Sequence, residues 1–134
     1  FAKKILGSSH VYCGDFRTIT IDKTFDAIVC WCTLFHLHES EHDNALKKMH
    51  AMLNDNGVLC ITFADTSTKP GEGNTYMIDD NTILGIQFGQ TFYHSGCPAS
   101  QNRQKVIDAG FLDIFEYRFR FVCLVWHGRI GLNF

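Results

Sequence analysis

Two apolar runs constrain this chain more than anything else in it: Phe25-Asp26-Ala27-Ile28-Val29-Cys30-Trp31 and Val58-Leu59-Cys60-Ile61-Thr62-Phe63. Neither alternates between polar and apolar residues as a half-wet strand would, so each reads as a strand covered on both faces. Between them Ala45, Leu46, Met49 and Met52-Leu53 recur at helical spacing, with Lys47 and Lys48 on the outward face. Glu39 and Glu41 place negative charge near the helix start, where the helix dipole favours it. Asn54-Asp55-Asn56-Gly57 then stops the helix. A strand, a helix and a second buried strand make a βαβ crossover, which sets the two strands parallel.

The remaining segments extend this core. Phe1–Leu6 reads as the tail of a helix closed by Gly7. His10–Cys13 is a short β-prone run ending at Gly14-Asp15, and Ile19–Ile21 sits among Thr, Asp and Lys as a connection. Thr66–Pro98 is polar and glycine-rich, with Lys69-Pro70-Gly71-Glu72-Gly73-Asn74 as a turn-rich loop. Ser100–Ala109 is a helix stopped by Gly110. Phe111–Tyr117 and Phe119–Trp126 follow as adjacent strands. This order predicts a single α/β layered domain over residues 1–134.

Composition narrows the function classes. The formal charge is −2, with 12 basic and 14 acidic residues, and there is no Lys/Arg stripe. That excludes nucleic acid as a default partner. The longest apolar stretches are of strand length and fall short of the ~18 residues of a membrane span. The six cysteines form no C-x-x-C pair and lie mostly in apolar runs, where free Cys behaves as a small hydrophobe. Reduced thiols and a cytoplasmic protein are expected.

The stretch from Phe25 through Phe35-His36-Leu37, continued by Leu46 to Leu59, resembles class I S-adenosylmethionine-dependent methyltransferases. Asn56-Gly57 stands where that family usually has two glycines. Gly14-Asp15-Phe16 is similar to the segment whose acidic residue holds the adenine amino group. Lys69 to Gly73, Phe92-Tyr93-His94 and Val106 to Phe111 resemble the substrate loop and closing helix. The resemblance implies a Rossmann-like methyltransferase sandwich, with a mostly parallel sheet and an antiparallel C-terminal strand. The family's opening strand, its G-x-G-x-G turn and its ribose-binding acid have no counterpart here. The expectation is therefore an N-terminally truncated domain, the back two-thirds of the family's, with cofactor binding impaired.

The resemblance assigns roles to particular residues, and each has a plainer alternative. Asp15 and Phe16 would hold and wall the adenine, or Asp15 is a turn residue. Cys30, Trp31 and Cys32 would line the methionine part of S-adenosylmethionine, or pack the two faces of a strand. His36 stands beside the transferred methyl as candidate catalytic base. Tyr76, Tyr93 and His94 would contact the substrate, or belong to the core. His36, His38 and His42 have a zinc-like spacing without convincing partners, so no metal is expected. No nucleophile motif is present. The function expected is methyl transfer to a small-molecule acceptor, and the alternative is a non-catalytic Rossmann-like binding module. A bare edge on the Phe25–Trp31 strand predicts a homodimer, with a domain swap through Phe1–Thr24 as one route.

Overall fold

A computed structural model describes residues 1–67, 75–87, 89–118 and 123–130. The expected crossover is present. Strand β1 (Phe25–Cys30) leads through short 3₁₀ turns at Leu34–His36 and Glu39–Glu41 into a helix, His42–Ala51, here α2 because Ala2–Leu6 forms α1. Strand β2 (Leu53–Asp65) follows and pairs with β1 in parallel. The register jumps from Phe25↔Leu53 to Ala27↔Val58, so β2 bulges at Asn54–Gly57. Asn56 takes a left-handed φ of 60°, and a Cβ on Gly57 would lie 2.7 Å from the Asn54 carbonyl oxygen. The Asn-Asp-Asn-Gly sequence is thus demanded by a bend that bulkier residues would resist.

Strands β3 (Thr75–Asp79), β4 (Thr82–Gln87) and β5 (Gln90–Cys97) form an antiparallel meander. It occupies the region whose polar, glycine-rich sequence reads as loop. Its strands are short and carry Thr, Gly and Gln, so the alternation that marks a strand is weak. The meander joins the sheet through β5, parallel to β2 at Ala64↔Gly96 and Asp65↔Cys97. A Cβ on Gly96 would fall 2.3 Å from the Ala64 carbonyl oxygen, so this approach requires glycine. Helix α3 (Ala99–Asp108) then leads into β6 (Phe111–Arg118) and β7 (Cys123–Ile130). Strand β7 inserts antiparallel between β2 and β6. The sheet has parallel pairs at β1–β2 and β2–β5 and the expected antiparallel C-terminal strand beside β2. The consecutive strands β3, β4 and β5, and β6 and β7, also pair antiparallel because no crossover separates them.

Three further expectations give way. His10–Cys13 is not a strand: Ser8–His10 is a 3₁₀ turn and the following residues are unpaired, since β propensity without a neighbouring strand makes no ladder. Strand β1 is covered on one face only, with Ala27 exposed and Val29 69% exposed. Lys48 does not face outward; its Nζ donates to the carbonyls of Phe16, at 2.6 Å, and Ile19, at 2.5 Å.

The core lies between the sheet and the two helices α2 and α3. Leu46 and Met49 of α2 and Val106 of α3 pack on Leu59, Ile61 and Phe63 of β2. Lys105 clamps the two helices from outside through Glu39 at 2.7 Å and Asp43 at 3.0 Å. Buried Asn102 fastens α3 to the sheet: its amide donates to the carbonyls of Ala64 and Cys97, and its oxygen accepts from the Cys97 thiol. Asp65, at the end of β2, accepts from the Ala99 amide at the start of α3. No helix among the described residues is long and apolar enough to cross a membrane.

Candidate functional site

Ligands of open α/β sheets sit beyond the carboxyl ends of parallel strands. At that end of β1 the structure has a pocket of about 360 Å³. Ile28, Val29 and Cys30 of β1 form one wall, and Thr33, Leu34, His36 and Leu37 of the following turn form another. Met49 of α2 and Phe16 complete it. The wall is overwhelmingly apolar and contains no carboxylate among the described residues.

Phe16 is held there by α2. Lys48 binds its carbonyl and also stands 5.0 Å from its ring centroid, a cation–π arrangement. Neighbouring Asp15 does not line the pocket. Arg17 grips its carboxylate with Nε at 2.9 and 3.0 Å and Nη2 at 2.6 Å, and the Arg17 backbone amide donates as well. These hydrogen bonds hold the Asp15 carboxyl down to about 2. The same guanidinium reaches Glu41 at 3.0 Å, tying the segment to the front of α2.

Beyond Cys30 the chain leaves the sheet abruptly. Cys32 has a left-handed φ of 49°, uncommon for a residue with a side chain, and its amide donates to Thr62 Oγ1 at 2.7 Å. Trp31 is half-exposed, and its carbonyl accepts from Thr33 Oγ1. The Cys30 thiol is half-buried and burial pushes its pKa up, which keeps it protonated and a poor nucleophile.

His36 meets the meander. Its Nδ1 lies 3.0 Å from the Tyr93 carbonyl oxygen. A carbonyl can only accept, so Nδ1 carries the proton and Nε2 of the neutral ring is left as the basic nitrogen. The His94 ring lies 5.5 Å from that of His36, and both pack edge-on to Phe35 at 4.8 Å. Burial, with His36 adding to it, pulls the His94 pKa below its ordinary value. The Glu39 amide donates to Ser95 Oγ, a second latch between β5 and the turn.

Of the residues singled out from sequence, Phe16, Cys30 and His36 share the pocket, and Tyr93 and His94 lie beside His36. Asp15, Trp31 and Cys32 do not line it, each being only next in sequence to a lining residue. Tyr76 stands in β3 opposite Leu84, and its side chain lies outside the described residues. Leu34, Leu37 and Met49 are pocket residues whose apolar character in the sequence signals only core. Among the described residues no group of His, Cys, Asp and Glu could hold a metal ion.

The strand order defines a fold class. This is the Rossmann-like fold of class I S-adenosylmethionine-dependent methyltransferases, whose family cofactor is S-adenosylmethionine. Residues 1–61 match the family model described as a methyltransferase domain. A methyltransferase of this type from Clostridium acetobutylicum superposes with a TM-score of 0.66 at 10% identity, covering 90% of this chain and 64% of its own. An amino pentose methyltransferase from Micromonospora echinaspora, solved with S-adenosylmethionine, gives 0.63 at 19% identity, covering 87% and 63%. The 1,6-didemethyltoxoflavin-N1-methyltransferase of Burkholderia thailandensis, solved with S-adenosylhomocysteine, gives 0.56 at 16% identity, covering 87% and 48%. The chain therefore spans less than two-thirds of the length of each of these relatives. No curated protein matches it in sequence.

Proposed function

We propose that the chain serves S-adenosylmethionine-dependent methyl transfer to a small-molecule acceptor, and that by itself it holds the cofactor weakly. The observation that carries this reading is the apolar pocket at the carboxyl end of β1, with His36 at its wall. S-adenosylmethionine, when bound, supplies an electrophilic methyl group. Phe16, Ile28, Leu34, Leu37 and Met49 suit its apolar and aromatic parts and exclude water around them. Cys30 lines the pocket, and Trp31 and Cys32, which follow it in the chain, are the further candidate contacts to the methionine part. His36 Nε2 is the group that would accept a proton from the acceptor. Tyr76, Tyr93 and His94, on the meander, are the candidate acceptor contacts. The solved relatives named for an amino pentose and a toxoflavin precursor support a small molecule as the acceptor class.

The fit to the cofactor is partial, and this supports weak binding. No carboxylate lines the described wall, and the Asp15 carboxylate is engaged by Arg17. Calorimetric titration with S-adenosylhomocysteine tests the reading. Saturable binding weaker than micromolar, lost in Phe16→Ala, is expected. No saturation, or micromolar binding indifferent to Phe16→Ala, would overturn it.

The same reading includes self-association and a reducing, cytoplasmic setting for the free thiols. Among the described residues β1 pairs with β2 alone, so its other edge is open to a second copy of the chain. Residues 15–19 are anchored to α2 through Arg17 and Lys48, so a swap would exchange the exposed residues before them. Light scattering across a concentration series separates a dimer from a 15.3 kDa monomer.

A further inference from the structure

Parallel pairing of β1 with β2 ends at Cys30↔Ile61. At the next step along β2 stands Thr62, with no exposed surface, and its hydroxyl takes the place a ladder carbonyl would have held. The amide it accepts belongs to Cys32, the residue whose left-handed φ of 49° turns the chain out of the sheet. Thr33, Leu34 and His36, which line the pocket, follow directly. A left-handed residue with a side chain persists only where its surroundings hold it. The 2.7 Å bond from a buried hydroxyl, seconded by Thr33 Oγ1 on the Trp31 carbonyl, is such a hold.

We propose that Thr62 is a positioning residue for the cofactor pocket: its hydroxyl locks the Cys32 turn and so sets where Thr33, Leu34 and His36 stand. This inference rests on the cofactor reading of the pocket. Valine keeps the shape of threonine and removes the acceptor, leaving the Cys32 amide unpaired. Serine keeps the acceptor and removes only a methyl group.

Two readouts on wild type, Thr62→Val and Thr62→Ser decide it. The first is hydrogen exchange of the Cys32 amide by NMR. The second is the Kd for S-adenosylhomocysteine. The lock predicts a protected Cys32 amide in wild type, although Cys32 itself is exposed. Thr62→Val should exchange there about tenfold faster and bind about three- to tenfold more weakly, the loss expected of one hydrogen bond. Thr62→Ser should restore both to within about twofold of wild type. Wild-type exchange and affinity in a folded Thr62→Val would overturn the proposal, and so would a Thr62→Ser that fails as Thr62→Val does. If Thr62→Val does not fold, wild type still decides: an unprotected Cys32 amide overturns the lock and a protected one supports it. If wild type shows no saturable binding, the cofactor reading fails while amide exchange still judges the lock.

Discussion

The two faces of the sheet meet different fates although neighbouring residues of the same strands build them. On one face Leu59, Ile61 and Phe63 lie under α2 and α3, and each is at most 1% exposed. Ile28 and Cys30 of β1 pack against that core. The register places Ala27, Val58 and Leu112 in one row of the other face, and Val29, Cys60 and Phe115 in the next. Here Val29 is 69% exposed, Leu112 52% and Phe115 61%. Apolar sequence marks residues able to be buried. Whether they are buried depends on what lies against them.

The largest effect that sharpens this contrast is a cavity on the covered face. Ile61→Ala should cost about 2–5 kcal/mol in chemical denaturation, whereas Val29→Ala should change stability by no more than about 0.5 kcal/mol. Equal costs would break the comparison. Next comes the joint between sheet and helix: Asp65→Ala removes the acceptor for the Ala99 and Ser67 amides and should cost about 1–2 kcal/mol in the same assay.

A pH dependence of stability comes third. His42 is fully buried in α2, its Nε2 donating to the Leu37 carbonyl at 3.2 Å while Nδ1 has no partner among the described residues. Burial lowers its pKa below 6.5; Glu39 and Asp43 nearby oppose that shift and Lys105 adds to it. The unfolded chain therefore takes up a proton first as pH falls, so this contribution to stability is present above pH 6.5 and drains away below it. His42→Phe should flatten that slope in melts recorded across the range. The smallest effect belongs to the bare face: Val29→Lys should leave the melting temperature nearly unchanged while reducing self-association in light scattering.

How much of this was legible in the sequence follows the same division. Strands β1 and β2 and helices α2 and α3 were readable because their apolar spacing answers to a core that exists. His10–Cys13 has the same β-prone character and forms no strand, for want of a neighbour. The meander was hidden because Thr82–Gln87, with Ile83 and Leu84 adjacent and Gly85 before Ile86, and Gln90–Cys97, which mixes aromatic and polar residues, show no strict alternation to mark a strand. In the site, Phe16, Cys30 and His36 could be named through family resemblance. Thr62 could not, since a threonine in an apolar strand reads as one more β-branched residue until its hydroxyl is seen facing the Cys32 amide.

We propose that the space between β1, the Thr33–Leu37 turn and α2 is where S-adenosylmethionine seats. Amide shift mapping during titration with S-adenosylhomocysteine tests it most directly. Progressive shifts concentrated at Phe16, Cys30, Leu34, His36 and Met49, saturating only above micromolar ligand, are expected. Shifts centred elsewhere on the chain, or none at those five residues at the highest concentration reached, would contradict it.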